Sequence, residues 1–352
     1  MPECRDVGRI AAALALCALT SACSDAPPAA PAEAGHLVER ARVSMGSEVR
    51  LTAWTADEPN ALATFEHIFG DFDYLDRLLS VWHPESKVSL INAAAGRAPV
   101  VVPGEVIDLL QTARQVSEWT SGKFDATFGA LSGLWKFDHD QDDRIPRPRD
   151  VTARLPLIDY RAVDIDVQAG TVFLRRAGMR LHLGGIGKGF AVDRAAAMFR
   201  AHGINDFMIQ AGGDLYASGR RGDRAWRAGI RDPRGAPDRI FAALNLQDET
   251  LSTSGDYERF FMKDGRRYHH LLDPDSGQPA TGSRSVTIVA PRATLADALS
   301  TGVFIMGPAE GMRLIERLPD VEGVMVSDTN EVLVSSGLRA RLERLASPTD
   351  AP

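Results

Sequence analysis

The chain has 352 residues, a hydrophobic fraction of 44%, three cysteines and a net charge of −7 with a pI near 5.7. That apolar content supports a full core in one large domain or two modest ones. The acidic balance, with basic residues scattered and the Arg266-Arg267 pair too short to form a patch, argues against a nucleic-acid partner.

The first residues predict a compartment. MPECRDVGR carries Arg5 and Arg9, and the uncharged run at 10–22 is too short to span a bilayer but has the length of a signal-peptide core. Residues 1–22 therefore read as a signal peptide. Leu19-Thr20-Ser21-Ala22-Cys23 resembles a bacterial lipoprotein cleavage site, with an ordinary secretory signal as the competing reading. Cys4 and Cys17 fall in the removed segment, so the mature chain keeps Cys23 alone, where a lipid would be attached. Residues 23–35 are rich in Pro and Ala and read as an extended tether. No later stretch is apolar for long enough to cross a membrane.

From His36 to residue 347 the pattern is that of one catalytic-sized domain, with 348–352 expected to be a disordered tail. Val49 to Trp54 alternates like a strand, and Ala61 to Leu79 places Phe65, Ile68, Phe72, Leu75 and Leu79 on one helical side. Val106 to Trp119 predicts a second long helix. Short strand-like segments follow between residues 160 and 290: VDIDV, TVFLR, FMIQA, WRAGIR, FAALNL and RSVTIVA, with Gly, Asp and Pro marking the turns. Helices at Leu295–Ile305 and Ala309–Leu318 precede strands around Val324 and Val332. Strands in runs, rather than alternating with helices, predict an α+β fold of mixed, largely antiparallel sheets.

RLHLGGIGKGFAVDR (180–194) reads as strand, glycine turn and helix, with a lysine inside the turn. It is not a P-loop, because Gly189 rather than Ser or Thr follows Lys188. It is not the dinucleotide fingerprint either, because Gly185, Gly187 and Gly189 are spaced G-x-G-x-G. Amides at a helix N-terminus still attract anions, while such turns also arise for packing alone. Asp297 and Thr301 are four apart, so both oxygens lie on one helix face and suit a hard cation such as magnesium. Thr294 and Asp297 also have capping-box spacing, which leaves a structural role open. His269 and His270 precede an Asp-Pro turn, and in an extended segment only one of them can face a site. Trp82 stands in a turn before Pro84, free to stack on a ring or on a neighbouring loop. Asp214 beside Gly212-Gly213 reads as a turn residue or a ligand.

Taken together, SVWHPES, GKFDATFGALSGLW, LGGIGKGFAVD, SGDY, HLLDPDSGQP and ADALST resemble the ApbE family of FAD:protein FMN transferases over about 300 residues. The resemblance implies transfer of FMN from FAD to a Thr or Ser hydroxyl of a partner protein by a phosphoester bond, with AMP released. It implies FAD contacts at Met45, Trp82, Lys123, Phe124, Asp125, His182, Lys188 and Leu272. Magnesium would be held by Asp297, Thr301, the Gly185 carbonyl and Ser300, and His270 would be the proton acceptor. Its pKa near 6.5 would suit it to that task. Two residues depart from the family pattern: His182 stands where the family has Asp, and Ser300 where some members carry a second Asp. The implied partners are acceptor flavoprotein subunits of membrane redox complexes, met at the periplasmic side of a bacterial membrane, the inner one, through a lipid on Cys23. An FAD pyrophosphatase yielding FMN and AMP, or an FAD-binding lipoprotein without catalysis, would use the same residues.

Overall fold

The computed structural model describes residues 35–351. The expected signal peptide, Cys23 and the tether up to residue 34 lie outside the described residues.

The fold opens with a hairpin of β1 (His36–Ser44) and β2 (Ser47–Thr55), in register from His36 opposite Thr55 to Ser44 opposite Ser47. Met45 and Gly46 make the turn at φ 48° and 72°, the positive φ that a two-residue type I′ turn requires at both positions. In α1 (Glu58–Leu79) Asp57 caps the start by accepting from the Asn60 N–H at 3.0 Å. The stripe from Phe65 to Leu79 is buried as its periodicity predicts. Next come α2 (Lys87–Ala94), β3 (Val100–Val101), α3 (Gly104–Trp119), α4 (Pro148–Thr152), β4 (Val163–Asp166) and β5 (Thr171–Leu174). Helix α5 (Gly187–Ala201) leads into β6 (Phe207–Ala211), β7 (Asp214–Ser218), β8 (Trp226–Arg231), β9 (Ile240–Leu246) and β10 (Glu249–Gly255). The chain ends with the hairpin β11 (Phe260–Lys263) and β12 (Arg266–His269), then β13 (Ser283–Ala290), α6 (Ala293–Met306), α7 (Pro308–Ile315), β14 (Glu322–Ser327), β15 (Val332–Val334) and β16 (Glu343–Arg344).

Eight strands form one antiparallel sheet in the order β1-β2-β6-β7-β10-β13-β14-β15. Helix α1 packs on β1 and β2, α5 on β6 and β7, and α6 on β10 and β13. The core between them holds Leu51, Phe65, Phe199, Phe207, Leu299 and Phe304, with Phe199 stacked on Phe207 at 4.4 Å. The small sheet β8-β9-β16 supplies Trp226, Phe241 and Leu244 to a second core with Leu251, Val289 and Val324. Covered on both faces, β13 buries all eight of its residues, the polar Ser283, Arg284, Ser285 and Thr287 included. The α+β class with antiparallel sheets is the architecture expected.

Two local expectations change. Residues 181–183 are not a strand. The Leu181 N–H and carbonyl are bracketed by the Asn92 side chain at 2.6 and 2.9 Å, and the His182 N–H goes to the Ala126 carbonyl at 2.8 Å, so a side chain replaces a ladder. The described part of the expected tail is ordered: Thr349 donates from N and Oγ1 to the buried carboxylate of Asp232, and its carbonyl accepts from Arg284.

Candidate functional site

Two cavities, of about 330 and 410 Å³, lie where the start of α5, the β6–β7 turn, the end of β10 and α6 converge. Each falls in the roughly 300–1,000 Å³ range of small-molecule sites. They share Gly46, Asp138, His182, Lys188 and Arg259 among their lining residues, so they are two chambers of one cleft.

At the junction Lys188, in the first turn of α5, lies 3.1 Å from Asp214 and 3.9 Å from Asp297. Asp214 is only 2% exposed and also accepts from Ser252 Oγ. Burial alone would pull the Lys188 ammonium down, but Asp214 and then Asp297 hold it above its ordinary pKa. Burial, with Asp214 beside it, pushes the Asp297 carboxyl up to about 7. A buried carboxylate pair sharing one ammonium favours a further cation.

The two helices that bring these groups together cap each other. Asp193 of α5 accepts from the Ala293 and Thr294 N–H groups at 2.7 and 2.9 Å and from Thr294 Oγ1 at 2.5 Å. Asp297 of α6 returns the arrangement, its Oδ2 accepting from the Gly189 N–H at 2.9 Å. The expected capping partnership of Thr294 with Asp297 is therefore replaced: Asp193 caps α6, and Asp297 is left facing α5 and the cleft. Gly189 permits the approach, because a Cβ there would stand 2.2 Å from the Ala293 carbonyl oxygen.

Thr301 lies one turn along α6 from Asp297. Its Oγ1 is 3.2 Å from Ser254 Oγ and 3.3 Å from where a Cβ on Gly185 would be. Ser300 Oγ is 2.7 Å from Ser254 Oγ and donates to the Asp297 carbonyl at 2.9 Å, so it joins the same hydroxyl cluster. Among the described residues no group of three or more His, Cys, Asp and Glu side chains is placed to hold a metal. The donors here are oxygens, one carboxylate with hydroxyls, and the Gly185 backbone stands beside Thr301. That set fits magnesium, which keeps waters and takes substrate oxygens, and does not fit a softer ion.

The residues expected to meet FAD all line the cleft. Met45 and Trp82 line one chamber, Lys123, Phe124, Asp125 and Leu272 the other, and His182 and Lys188 both. Several have their side chains committed. Lys123 pairs with Asp273 and Asp275, both at 2.8 Å. The Asp125 carboxylate accepts from Thr127 N–H and Oγ1 and from the Tyr160 N–H, and burial pushes its pKa up. Asp125 thus spends three of its carboxylate's roughly four acceptor sites on building the loop. Trp82 is half exposed and edges onto His139 at 4.3 Å. His182 accepts from the Gly184 N–H at 3.1 Å through Nδ1 and tilts onto Phe128 at 5.2 Å, with burial lowering its pKa.

The adjacent histidines face opposite ways, as strand alternation requires. His269 is buried, its Nε2 3.0 Å from the Ala280 carbonyl and its ring edge-on to Phe304 at 5.6 Å. His270 lines the cleft, with Nδ1 buried and unpartnered among the described residues. Burial and then the neighbouring Arg259 pull the His270 imidazole down to about 3. The ordinary value near 6.5 expected from the sequence is thereby corrected, and the ring is neutral at every physiological pH.

Ser254, Asp138 and Arg259 were not among the residues singled out for the site, and Asp214 stood between turn residue and ligand. Asp214 had a visible signal in its paired glycines. Asp138 and Arg259 had none, since their 2.5 Å pairing joins positions 121 residues apart.

Comparisons with known proteins agree with this architecture. The family model described as the ApbE family matches residues 45–325. A Treponema pallidum protein named FAD:protein FMN transferase is 36% identical over 298 residues, covering 80% of this chain and 82% of its own. A Klebsiella pneumoniae protein of the same name is 32% identical, with 87% of this chain and 94% of its own covered. The crystal structure of the Thermotoga maritima ApbE protein superposes with a TM-score of 0.81 at 32% identity, covering 88% of this chain and all of that one. The Pseudomonas stutzeri flavinyl transferase ApbE superposes at 0.77 with 28% identity, over 87% of this chain and 97% of its own. With the family model spanning most of the chain and relatives above 30% identity along its length, this protein is a member of the ApbE family.

Proposed function

We propose that this chain is an FAD:protein FMN transferase that uses magnesium to move FMN onto a Thr or Ser hydroxyl of an acceptor protein. The observation that supports it most is the two-chambered cleft, with Lys188, two buried carboxylates and a hydroxyl cluster at its junction. The relatives' shared name supplies the reaction class.

In the reaction the phosphoanhydride bond of FAD breaks, the acceptor oxygen forms a new bond to the FMN phosphorus, and AMP leaves. Magnesium, held by Asp297, Thr301 and the Gly185 carbonyl with Ser300 alongside, would neutralise charge on the phosphate oxygens. Lys188 and the start of α5 set the cleft's polarity at the junction, and Phe124 and Leu272 give one chamber apolar walls. His270 presents a neutral imidazole to the cleft, ready to accept the hydroxyl proton. A phosphate anion in the cleft would raise its low basicity, because an anion favours the charged imidazolium. The N-terminal 35 residues support anchoring through Cys23 at the periplasmic face of a bacterial membrane, where membrane redox subunits would be the acceptors.

Incubating the protein with FAD, magnesium and a candidate flavoprotein subunit tests the reading. Covalent flavin on the subunit is expected. Free FMN and AMP without labelling would make the protein a pyrophosphatase, and unchanged FAD would make it a binder.

A further inference from the structure

The 135–139 segment, which lines the cleft, packs on the β11–β12 hairpin. Trp135, Phe137, Phe261 and Tyr268 form a closed cycle of stacked rings with centroids 5.3 to 6.0 Å apart, joining the 135–139 segment to the β11–β12 hairpin. Trp135 Nε1 fixes one corner by donating to the Gly277 carbonyl at 2.8 Å. Beside this stack Arg259 Nη1 donates to Asp138 Oδ1 at 2.5 Å. Phe137 precedes Asp138 directly and Phe261 follows Arg259 by two, so the rings hold both ends of the ion pair in place.

Donor capacity separates Arg259 from Lys188. The Lys188 ammonium is turned to Asp214 and Asp297, and its charge is matched inside the protein. A guanidinium has five N–H donors in a rigid fork, and Asp138 is the one side chain among the described residues that occupies any of them on Arg259. Its Nη2 stands against the Gly46 turn, 3.7 Å from where a Cβ on that glycine would be. The Arg259 side chain is 39% exposed and lines both chambers. Its backbone carbonyl also accepts from the His270 N–H at 3.1 Å, which ties its position to that of the cleft histidine.

We propose that Arg259, steadied by Asp138, grips the diphosphate of a dinucleotide spanning the two chambers, binding it through the free arm of its fork. The inference rests on the flavin-transferase reading above and adds to it a binding residue and the reason for its pairing. Arg suits this task because its planar fork matches two phosphate oxygens, which an ammonium cannot do.

Fluorescence titration of the whole protein with FAD, at low and high ionic strength, tests it. Arg259→Ala should raise the Kd for FAD about 10- to 100-fold, the range for a lost charge-assisted hydrogen bond. It should also flatten the salt dependence of that Kd, since screening acts on the charge that has been removed. Arg259→Lys should recover part of the affinity. A variant that binds FAD like the wild type, or one that loses affinity with an unchanged salt slope, would overturn the inference. A wild type that fails to bind FAD would overturn the flavin reading and this inference with it.

Discussion

The Asp297 carboxylate accepts a hydrogen bond from the Gly189 N–H at 2.9 Å, so the residue proposed to hold the metal also caps the helix that carries Lys188. Removing it therefore has two consequences. Asp297→Ala should abolish transfer and cost about 1 kcal/mol through the lost cap. Asp297→Asn keeps an oxygen for Gly189 and should abolish transfer without that cost. The pH dependence has a definite sign. A carboxyl raised to about 7 when folded binds its proton more tightly there than when unfolded, so its contribution to stability falls as pH rises from about 4 to about 7. In chelator, the melting temperature of the wild type minus that of Asp297→Asn should decline across that window. A flat difference would remove the burial effect assigned to Asp297.

Gly189 sets propensity against packing. In a helix interior Ala is favoured over Gly by about 1 kcal/mol. A Cβ at 189 would sit 2.2 Å from the Ala293 carbonyl oxygen and 2.7 Å from Asp297 Cβ, and the carbonyl cannot turn aside. Packing wins: Gly189→Ala should lower stability by about 1–3 kcal/mol, the usual cost of overpacking, and reduce transfer by shifting Asp297. Chemical denaturation reads the first effect and a transfer assay the second. A more stable variant would mean that α5 and α6 separate freely.

The two histidines should fail in different ways. His270→Ala should slow transfer about 10²–10⁴-fold with the fold intact. His269→Ala should instead lose about 1–3 kcal/mol of stability, because it deletes a buried hydrogen bond to Ala280 and the contact with Phe304. Because His270 is held at about 3, kcat/KM should show no acid limb at 6.5 in the wild type. Stability follows the same group in the opposite sense to Asp297: a depressed folded pKa gives stability that is complete above about 6.5 and drains as pH falls towards 3. A kcat/KM limb at 6.5 that vanishes in His270→Ala would restore an ordinary imidazole.

Cys23 is the last of three cysteines and follows a run of small residues. Cys23→Ser should move the protein from the membrane fraction to the soluble periplasmic fraction. Sedimentation of the variant with membranes would rule out the lipid anchor.

The helices and their buried faces were legible before any coordinates. Phe65 to Leu79 recur at helical spacing, Asp297 and Thr301 share a face at four residues' separation, and alternation allowed only one of His269 and His270 to face a site. Those relations are local, so backbone geometry alone settles them. Which carboxylate serves which helix was not legible. Thr294 and Asp297 had the spacing of a local cap, yet Asp193 took that role from 100 residues away and turned Asp297 towards Gly189 and Lys188. The strand expected at 181–183 gave way to the side chain of Asn92 for the same kind of reason. Asp214 beneath Lys188, Asp138 across from Arg259 and the burial that sets His270 near 3 all depend on which surfaces the folded sheet brings together. Burial and long-range pairing are properties of the assembled core, and no window of neighbouring residues carries them.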